Sequence, residues 1–562
     1  MDFILSIVTF LPIVGALVVA LLPERAAKTS AMAVSVLAFL VSLPLWMKYD
    51  PAGATYQFVE QADWIAAFGV QYHLGLDGVS LVLVMLTTAM IPIIVAAGFS
   101  GVEKNHRAYF ALMLVLEGAM IGSFLALDTF LFYLFWEAVL LPMYLLVGVW
   151  GGENRIYAAV KLFIYTAVGS LLMLVALIAV YQLQASTGTP STDLEVLLRL
   201  PIPRNMQLWC FAAFALAFAI KVPMFPVHTW LPDAHVQAPT GGSVVLAGVM
   251  LKMGSYGFYR FAMPLFPEGV VTFGPVIIGL SVIGIVYGAL VAMVQDDVKK
   301  LVAYSSVSHM GFVMLGLFAL NEPGVTGGIY QMLNHGVSTG ALFLLVGIVY
   351  ERRHTRQIAD FGGLAKVVPV FATFFMLVTF SSIGLPLLNG FVGEFMILLG
   401  AFQYAPWPTV VAATGVILGA AYMLWMFQRV MFGPLTSRAN AALKDMNARE
   451  IAYMVPLAIA IIAMGVYPKP FLDRINPSVD VFLKRMETAY AVAPYAEAAG
   501  ATPAWLGAPA CTKDAPDTHA RRDCLPVATV HEAHGHEAGH GEVHGTGAAT
   551  PSNEAAPAEG SH

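Results

Sequence analysis

Charge is scarce in this sequence. Of 562 residues, 29 are Lys or Arg and 35 are Asp or Glu, so only 11% are charged, against about 25% in a soluble globular domain. That shortage excludes a water-soluble multidomain enzyme. The net charge of −6 without a basic stripe excludes a nucleic-acid binder. Three cysteines are too few for a disulfide scaffold. There is no Gly-rich phosphate loop, no CxxC pair and no c-type haem motif, so the chain is expected to hydrolyse no nucleotide and to hold no redox cofactor of its own. No metal site and no catalytic residue in the covalent sense is expected either.

Hydrophobic residues, in contrast, make up 58% of the chain, far too many for a disordered chain. A membrane-crossing helix needs about 20 mostly apolar residues. Such runs lie near 3–22, 29–47, 79–100, 108–126, 129–150, 156–182, 207–232, 242–262, 273–295, 299–319, 326–350, 370–404, 409–432 and 450–468. The pattern predicts an all-α polytopic membrane protein with about 14 transmembrane helices. No small-residue cleavage site follows the first run, which is read as a retained helix. Period-two segments of the kind that build a membrane barrel are not seen.

Two spans do not fit a simple crossing. The seventh contains Lys221-Val222-Pro223 and Pro226; proline lacks the N–H and clashes one turn back, so a break is expected there. The twelfth, 370–404, would be about 52 Å long at 1.5 Å per residue, far more than the roughly 30 Å hydrocarbon core. It holds Gly384, Pro386, Gly390 and Gly393, so it too is expected to break. Two broken helices in related positions point to inverted repeats, paired here as helices 4–8 and 9–13. The resulting organisation is helices 1–3 in 1–107, a first repeat in 108–262, a second in 273–433, a loop and helix 14 in 434–468, an amphipathic surface segment in 469–489, and an Ala/Gly/His-rich tail in 490–562 expected to be disordered.

Loops carrying Arg25 and Lys28, Lys104 and Arg107, Lys299 and Lys300, Arg352, Arg353, Arg356 and Lys366, and Arg438 and Lys444 mark the cytoplasmic side. Both termini then fall outside, in the periplasm of a bacterial inner membrane. Arg199 and Arg204 are the exception to this bias. The tail histidines His519, His531, His534, His536, His540, His544 and His562 are read as a solvated segment or, alternatively, a loose metal buffer. Pairing of Cys511 with Cys524 is left open, and Cys210 is read as packing.

The informative residues are ionisable groups inside spans: Glu137, Lys221, Lys252, His309, His335 and Glu394. An ionised side chain at the bilayer centre costs about 2.5–3.5 kcal/mol. Four isolated ones would cost about 10–14 kcal/mol, comparable with the stability of a whole domain, so they must pair or line water. A buried lysine beside a glutamate holds its proton and releases it when the glutamate withdraws; histidines titrate in the right range to relay between lysines. The row reads as a proton wire in the membrane plane. The alternative is a set of structural ion pairs, and for His309 and His335 hydrogen-bonded packing. Glu117, Lys161 and His228 are secondary candidates, with Asp233 and His235 in an unwound stretch after the seventh-span break.

The stretch Lys221-Val-Pro-Met-Phe-Pro-Val-His-Thr-Trp-Leu-Pro-Asp-Ala-His235, with Ala238-Pro-Thr240, Leu251-Lys252, Gln295-Asp-Asp-Val-Lys-Lys300 and Ser308-His-Met-Gly311, resembles the proton-conducting modules of respiratory complex I, a family that also includes Mrp-type sodium/proton antiporter chains and membrane chains of some hydrogenases. The resemblance covers about residues 1–475. It implies a proton-translocating, antiporter-like subunit of an NADH:quinone oxidoreductase, a translocase whose NADH, FMN, iron–sulfur clusters and quinone sit in partner subunits. By resemblance Glu137 modulates Lys221, Lys252 with His309 and His335 forms the central connection, and Glu394 is the outlet. The implied partners are the lipid bilayer and other membrane-arm subunits, especially the sibling chains L and N, which carry Lys where Glu394 stands here. The alternatives kept are an Mrp-type antiporter or a hydrogenase membrane-arm subunit.

Overall fold

Long apolar runs form helices because a backbone buried in hydrocarbon must satisfy its own N–H and C=O groups. The computed structural model describes residues 3–435 and 437–492. Ten of the described helices are long and apolar enough to cross a membrane. In chain order the principal elements are α1 (Ile4–Leu21), α2 (Glu24–Lys48), β1 (Gln57–Ile65), β2 (Val70–Leu76), α3 (Gly78–Gly101), α4 (His106–Leu125), α5 (Thr129–Ala138), α6 (Leu140–Trp150), α7 (Arg155–Ser186), α8 (Arg204–Lys221) and α9 (Trp230–Gln237). There follow α10 (240–265), α11 (Pro267–Met293), α12 (Val298–Leu317), α13 (Glu322–Arg353), α14 (Pro369–Ser382), α15 (Asn389–Tyr404), α16 (Pro406–Met431), α17 (Ala448–Val466) and α18 (Lys469–Val492).

Both expected breaks are present. After α8 the chain turns through two cis prolines, Pro223 and Pro226, and the Ile220 carbonyl freed by the break accepts from Trp230 Nε1 at 2.8 Å. Between α14 and α15, Gly384 (φ +71°) and Leu387 (φ +74°) adopt left-handed backbone. Glycine does this freely and leucine does not; Leu387, whose side chain points outward (69% exposed), is therefore strained. Across the break Ser381 Oγ donates to Asn389 Oδ1 at 2.6 Å and meets Ser338 Oγ of α13 at 2.6 Å, which ties both halves to a buried helix.

Two expectations need correction. The chain is not all-α: β1 and β2 form an antiparallel hairpin where only a link between the second and third spans was expected. Polar and apolar residues are mixed there too irregularly to read as a strand. Yet the hairpin packs on helix ends, and Glu60 accepts from the N–H groups of Leu5 (2.7 Å) and Ser6 (3.1 Å), filling orphan donors at the start of α1. The fifth span, Thr129–Trp150, is one crossing-length helix, with α5 and α6 meeting at Val139, whose backbone stays helical. The span 242–262 contains two π turns, Leu246–Met250 and Phe258–Ala262. Asp233 and His235 are not on unwound chain but on α9, because the turn at 222–229 ends and a new helix starts at Trp230. The amphipathic segment is helical, as α18; the tail with its histidines and cysteines lies outside the described residues.

At the hairpin end, the buried Arg260 pairs with Asp77 and donates to the hydroxyls of Tyr256 (3.0 Å) and Tyr56 (3.0 Å). Removing one partner of such a pair leaves an uncompensated buried charge, at about 3–5 kcal/mol. Arg260→Ala is therefore expected to lower the melting temperature in a thermal scan of the detergent-extracted protein, and Asp77→Asn in the same chain to restore part of it. An unchanged melting temperature in Arg260→Ala would contradict this account.

Candidate functional site

The buried ionisable side chains converge at the helix breaks. Lys252 lies on α10, fully buried. The π turn before it shifts the hydrogen-bond register by one residue, so the carbonyl of Ala247 accepts from Lys252 Nζ. The same Nζ lies 2.7 Å from His335 Nδ1 on α13. For the ammonium to donate, that nitrogen must present its lone pair, which leaves the proton of a neutral His335 on Nε2. The His335 ring stands 5.9 Å, centroid to centroid, from His309 on α12. His309 Nδ1 is 2.9 Å from Glu394 Oε1 on α15, and Gln331 Nε2 donates to the same oxygen at 3.0 Å. Glu394 sits directly over the break: a Cβ on Gly384 would lie 3.1 Å from Glu394 Oε2. Four of the six sequence-predicted residues thus form one polar file across α10, α13, α12 and α15.

A cavity of about 10 Å³ lies beside this file, lined by His309, Asn334, His335, Ser338, Thr339 and Ser382 among others. That is room for about one water among polar partners.

Glu137 and Lys221 are near each other but not paired. Lys221 Nζ sits 4.0 Å from the centre of the Trp136 ring, a cation–π contact. The Glu137 carboxylate accepts from Ser170 Oγ on α7, although its charge still reaches Lys221. Among the described residues no hydrogen bond joins Lys221 to Lys252, so these two lysines are separate in this conformation. Nearby backbones are tight: a Cβ on Gly254 would be 2.8 Å from the Phe218 carbonyl.

The secondary candidates divide. Lys161 forms an ion pair with Asp233 at 2.6 Å. Glu117 is fully buried on α4 with neither carboxyl oxygen bonded. His228, also buried, has no hydrogen bond to either ring nitrogen and stacks on Phe225.

Sequence reasoning missed a buried lysine. Lys299 was read as a loop charge, but it is 7% exposed and its Nζ donates to the Ala238 carbonyl at 2.6 Å. It lines a cleft of about 490 Å³ with Gly101, Trp150, Tyr350, Glu351 and Arg356, at the end of the helices that carries the basic loops. His235, fully buried and with both ring nitrogens unbonded, lies in electrostatic range of both Lys299 and Lys252. The Asp297 cap, which accepts from the N–H groups of Lys299 and Lys300, was the available signal: it makes Lys299 part of a helix, not a loop.

The family described as NADH:quinone oxidoreductase/Mrp antiporter, TM, matches residues 126–419. The chain is 50% identical over 494 residues to NADH-quinone oxidoreductase subunit M of Rhodobacter capsulatus, covering 85% of this chain and 96% of that one. It is 44% identical to NADH-ubiquinone oxidoreductase chain 4 of Arabidopsis thaliana over 481 residues, 85% of this chain and 96% of the relative. Among solved structures it is similar to a chain of respiratory complex I from Thermus thermophilus with bound NADH (TM-score 0.79, 35% identity, covering 86% of this chain and 99% of that one). A chain of the Mrp complex from Dietzia sp. shares the fold (TM-score 0.73, 23% identity, 86% of this chain and 52% of that one).

The Glu394 geometry can be tested by itself. A Cβ on Gly393 would lie 2.4 Å from Gln331 Oε1 and 2.7 Å from Asn334 Nδ2. Gly393→Ala is expected to push Gln331 away and to remove one hydrogen bond from Glu394. The infrared carboxyl band identified by subtracting a Glu394→Gln spectrum should shift. An unmoved band would contradict the arrangement.

Proposed function

Because the chain belongs to the NADH:quinone oxidoreductase/Mrp antiporter family, we propose that it is the proton-translocating, antiporter-like subunit M of an NADH:quinone oxidoreductase. Electron transfer, with NADH, FMN, iron–sulfur clusters and quinone, belongs to partner subunits; this chain moves protons in response. It works beside the sibling chains L and N, in a bacterial inner membrane, with both termini periplasmic. Its helices are read as about 14 crossings with two inverted five-helix repeats, 108–262 and 273–433, each holding one broken helix.

The observation that carries this reading is the polar file from Lys252 to Glu394, hydrogen-bonded at its two ends, Lys252 to His335 and His309 to Glu394, with the two histidine rings 5.9 Å apart between them. A lysine taken out of water loses charge stabilisation, and a neighbouring carboxylate restores it. In the conformation described, Glu137 rests on Ser170 and Lys221 on the Trp136 face. Swinging Glu137 toward Lys221 favours a proton on Lys221. Withdrawing it to Ser170 favours release toward Lys252, provided water bridges the gap between the two lysines. A proton arriving at Lys252 passes to His335 Nδ1. His335 gives up its Nε2 proton toward His309, and His309 delivers to Glu394, which discharges to the periplasmic side. The cleft at Lys299, with His235 behind it, is the matching cytoplasmic inlet, and Glu117, Lys161 and His228 are side stations.

Lys221→Ala and Glu137→Ala are each expected to abolish most proton pumping per NADH oxidised, a positioned proton-transfer group contributing about 10²–10⁴-fold to its step, while the complex assembles. The measurement is pH-gradient formation by the purified complex in vesicles, and near-normal pumping in both variants would refute the role. Glu394→Gln should impair pumping and Glu394→Lys should retain much of it, since a lysine also titrates. Full pumping in the glutamine variant would remove Glu394 from the path.

A further inference from the structure

Arg199 and Arg204 stand on the wrong side of the charge bias that orients the other loops, and the proton path makes no use of them. In the fold they are not scattered. They line one cleft of about 1180 Å³ together with Lys484 and Arg485 from α18, and its floor includes Ile202 and Leu265. Two carboxylates answer this cluster: Glu268 lies 3.6 Å from Arg204, and Glu195 lies 3.1 Å from Arg485. Four cations against two anions leave an excess of positive charge, and Arg199 and Lys484 are exposed.

The surroundings place this cleft at the level of lipid headgroups. It lies at the ends of two helices of the bundle, α8 and α11. In the second turn of α8, Trp209 is 79% exposed, the position at which tryptophan favours the membrane–water boundary. Further along the same two helices Leu216, Val276 and Ile283 are exposed, an apolar track leading away from the basic cleft. Basic side chains above an apolar helix surface match a molecule with an anionic head and hydrocarbon tails.

We propose that this cleft seats the phosphate headgroup of an anionic phospholipid, with Arg199 and Lys484 as its principal ligands and the acyl chains lying along α8 and α11. The site explains the departure of Arg199 and Arg204 from the loop bias: these cations are held on the periplasmic side to capture lipid, so they do not report topology.

The test uses the assembled complex in phosphatidylcholine vesicles doped with photoactivatable phosphatidylglycerol, with crosslinked peptides mapped by mass spectrometry. Label is expected on residues 199–209 and 484–488, displaced by unlabelled phosphatidylglycerol and not by phosphatidylcholine. R199Q/K484Q should weaken capture about 25-fold, the product of two lost cations near a charged headgroup, whereas R199K/K484R should keep it. Equal competition by phosphatidylcholine would overturn the proposal, as would unchanged labelling in R199Q/K484Q. Labelling that appears only when the acidic stretch after Val492 is deleted would also overturn it, because the tail would then be the occupant.

Discussion

A lysine ammonium inside a helix bundle stays charged only while its surroundings replace the water it has lost. Lys252 has two neutral neighbours to do so, the Ala247 carbonyl and His335 Nδ1. An ionised group in a low-dielectric interior is costly unless it is paired and hydrogen-bonded. The carboxylate that would pair with it is absent from its immediate contacts; Glu394 stands beyond two histidines. The carboxylate of the file is reached from Lys252 only by way of His335 and His309. On the proposed reading, a change in the protonation of Glu394, His309 or His335 alters what Lys252 can hold, and that coupling is the condition for moving a proton along the file.

The architecture supplies that condition by interrupting its own helices where polar groups are needed. A continuous helix spends every carbonyl on its own N–H groups. The breaks after Lys221 and at Gly384, and the π turn at Leu246–Met250, release carbonyls beside the buried ionisable side chains. Two of the released carbonyls find side-chain donors, Ile220 in Trp230 and Ala247 in the Lys252 ammonium. Broken backbone is tolerated at membrane depth only where protein or water covers it, and the surrounding helices provide that cover. The serine–asparagine links from Ser338 to Ser381 and Asn389 hold the second break against α13, the helix that contributes His335.

Much of this was legible in the sequence because it depends on residues with strong local meaning. Proline after Lys221 and the Gly/Pro-rich run at 384–393 announce breaks whatever the tertiary context. Ionisable residues in apolar runs announce the file, and Glu394, His309, His335 and Lys252 do meet. What could not be read depends on distant partners. Glu137 is bound to Ser170 and not to Lys221, a choice between two contacts that spacing along the chain cannot rank. The β1–β2 hairpin is held by packing on helix ends and by Glu60 reaching α1. The π turns change register without any change in hydrophobic pattern. Lys299 looked like a loop charge because its burial is produced by α9 and α13, remote from it in sequence.

The central claim is that the two lysines and the file beyond them join through water when the glutamate partner changes. The most direct measurement is a map of the assembled complex in lipid, at a resolution that shows ordered water, taken during turnover. The account predicts density for waters bridging Lys221 to Lys252 and His335 to His309, with Glu137 seen both at Ser170 and at Lys221. A dry, apolar gap between the lysines in every turnover state, with Glu137 fixed on Ser170, would contradict it.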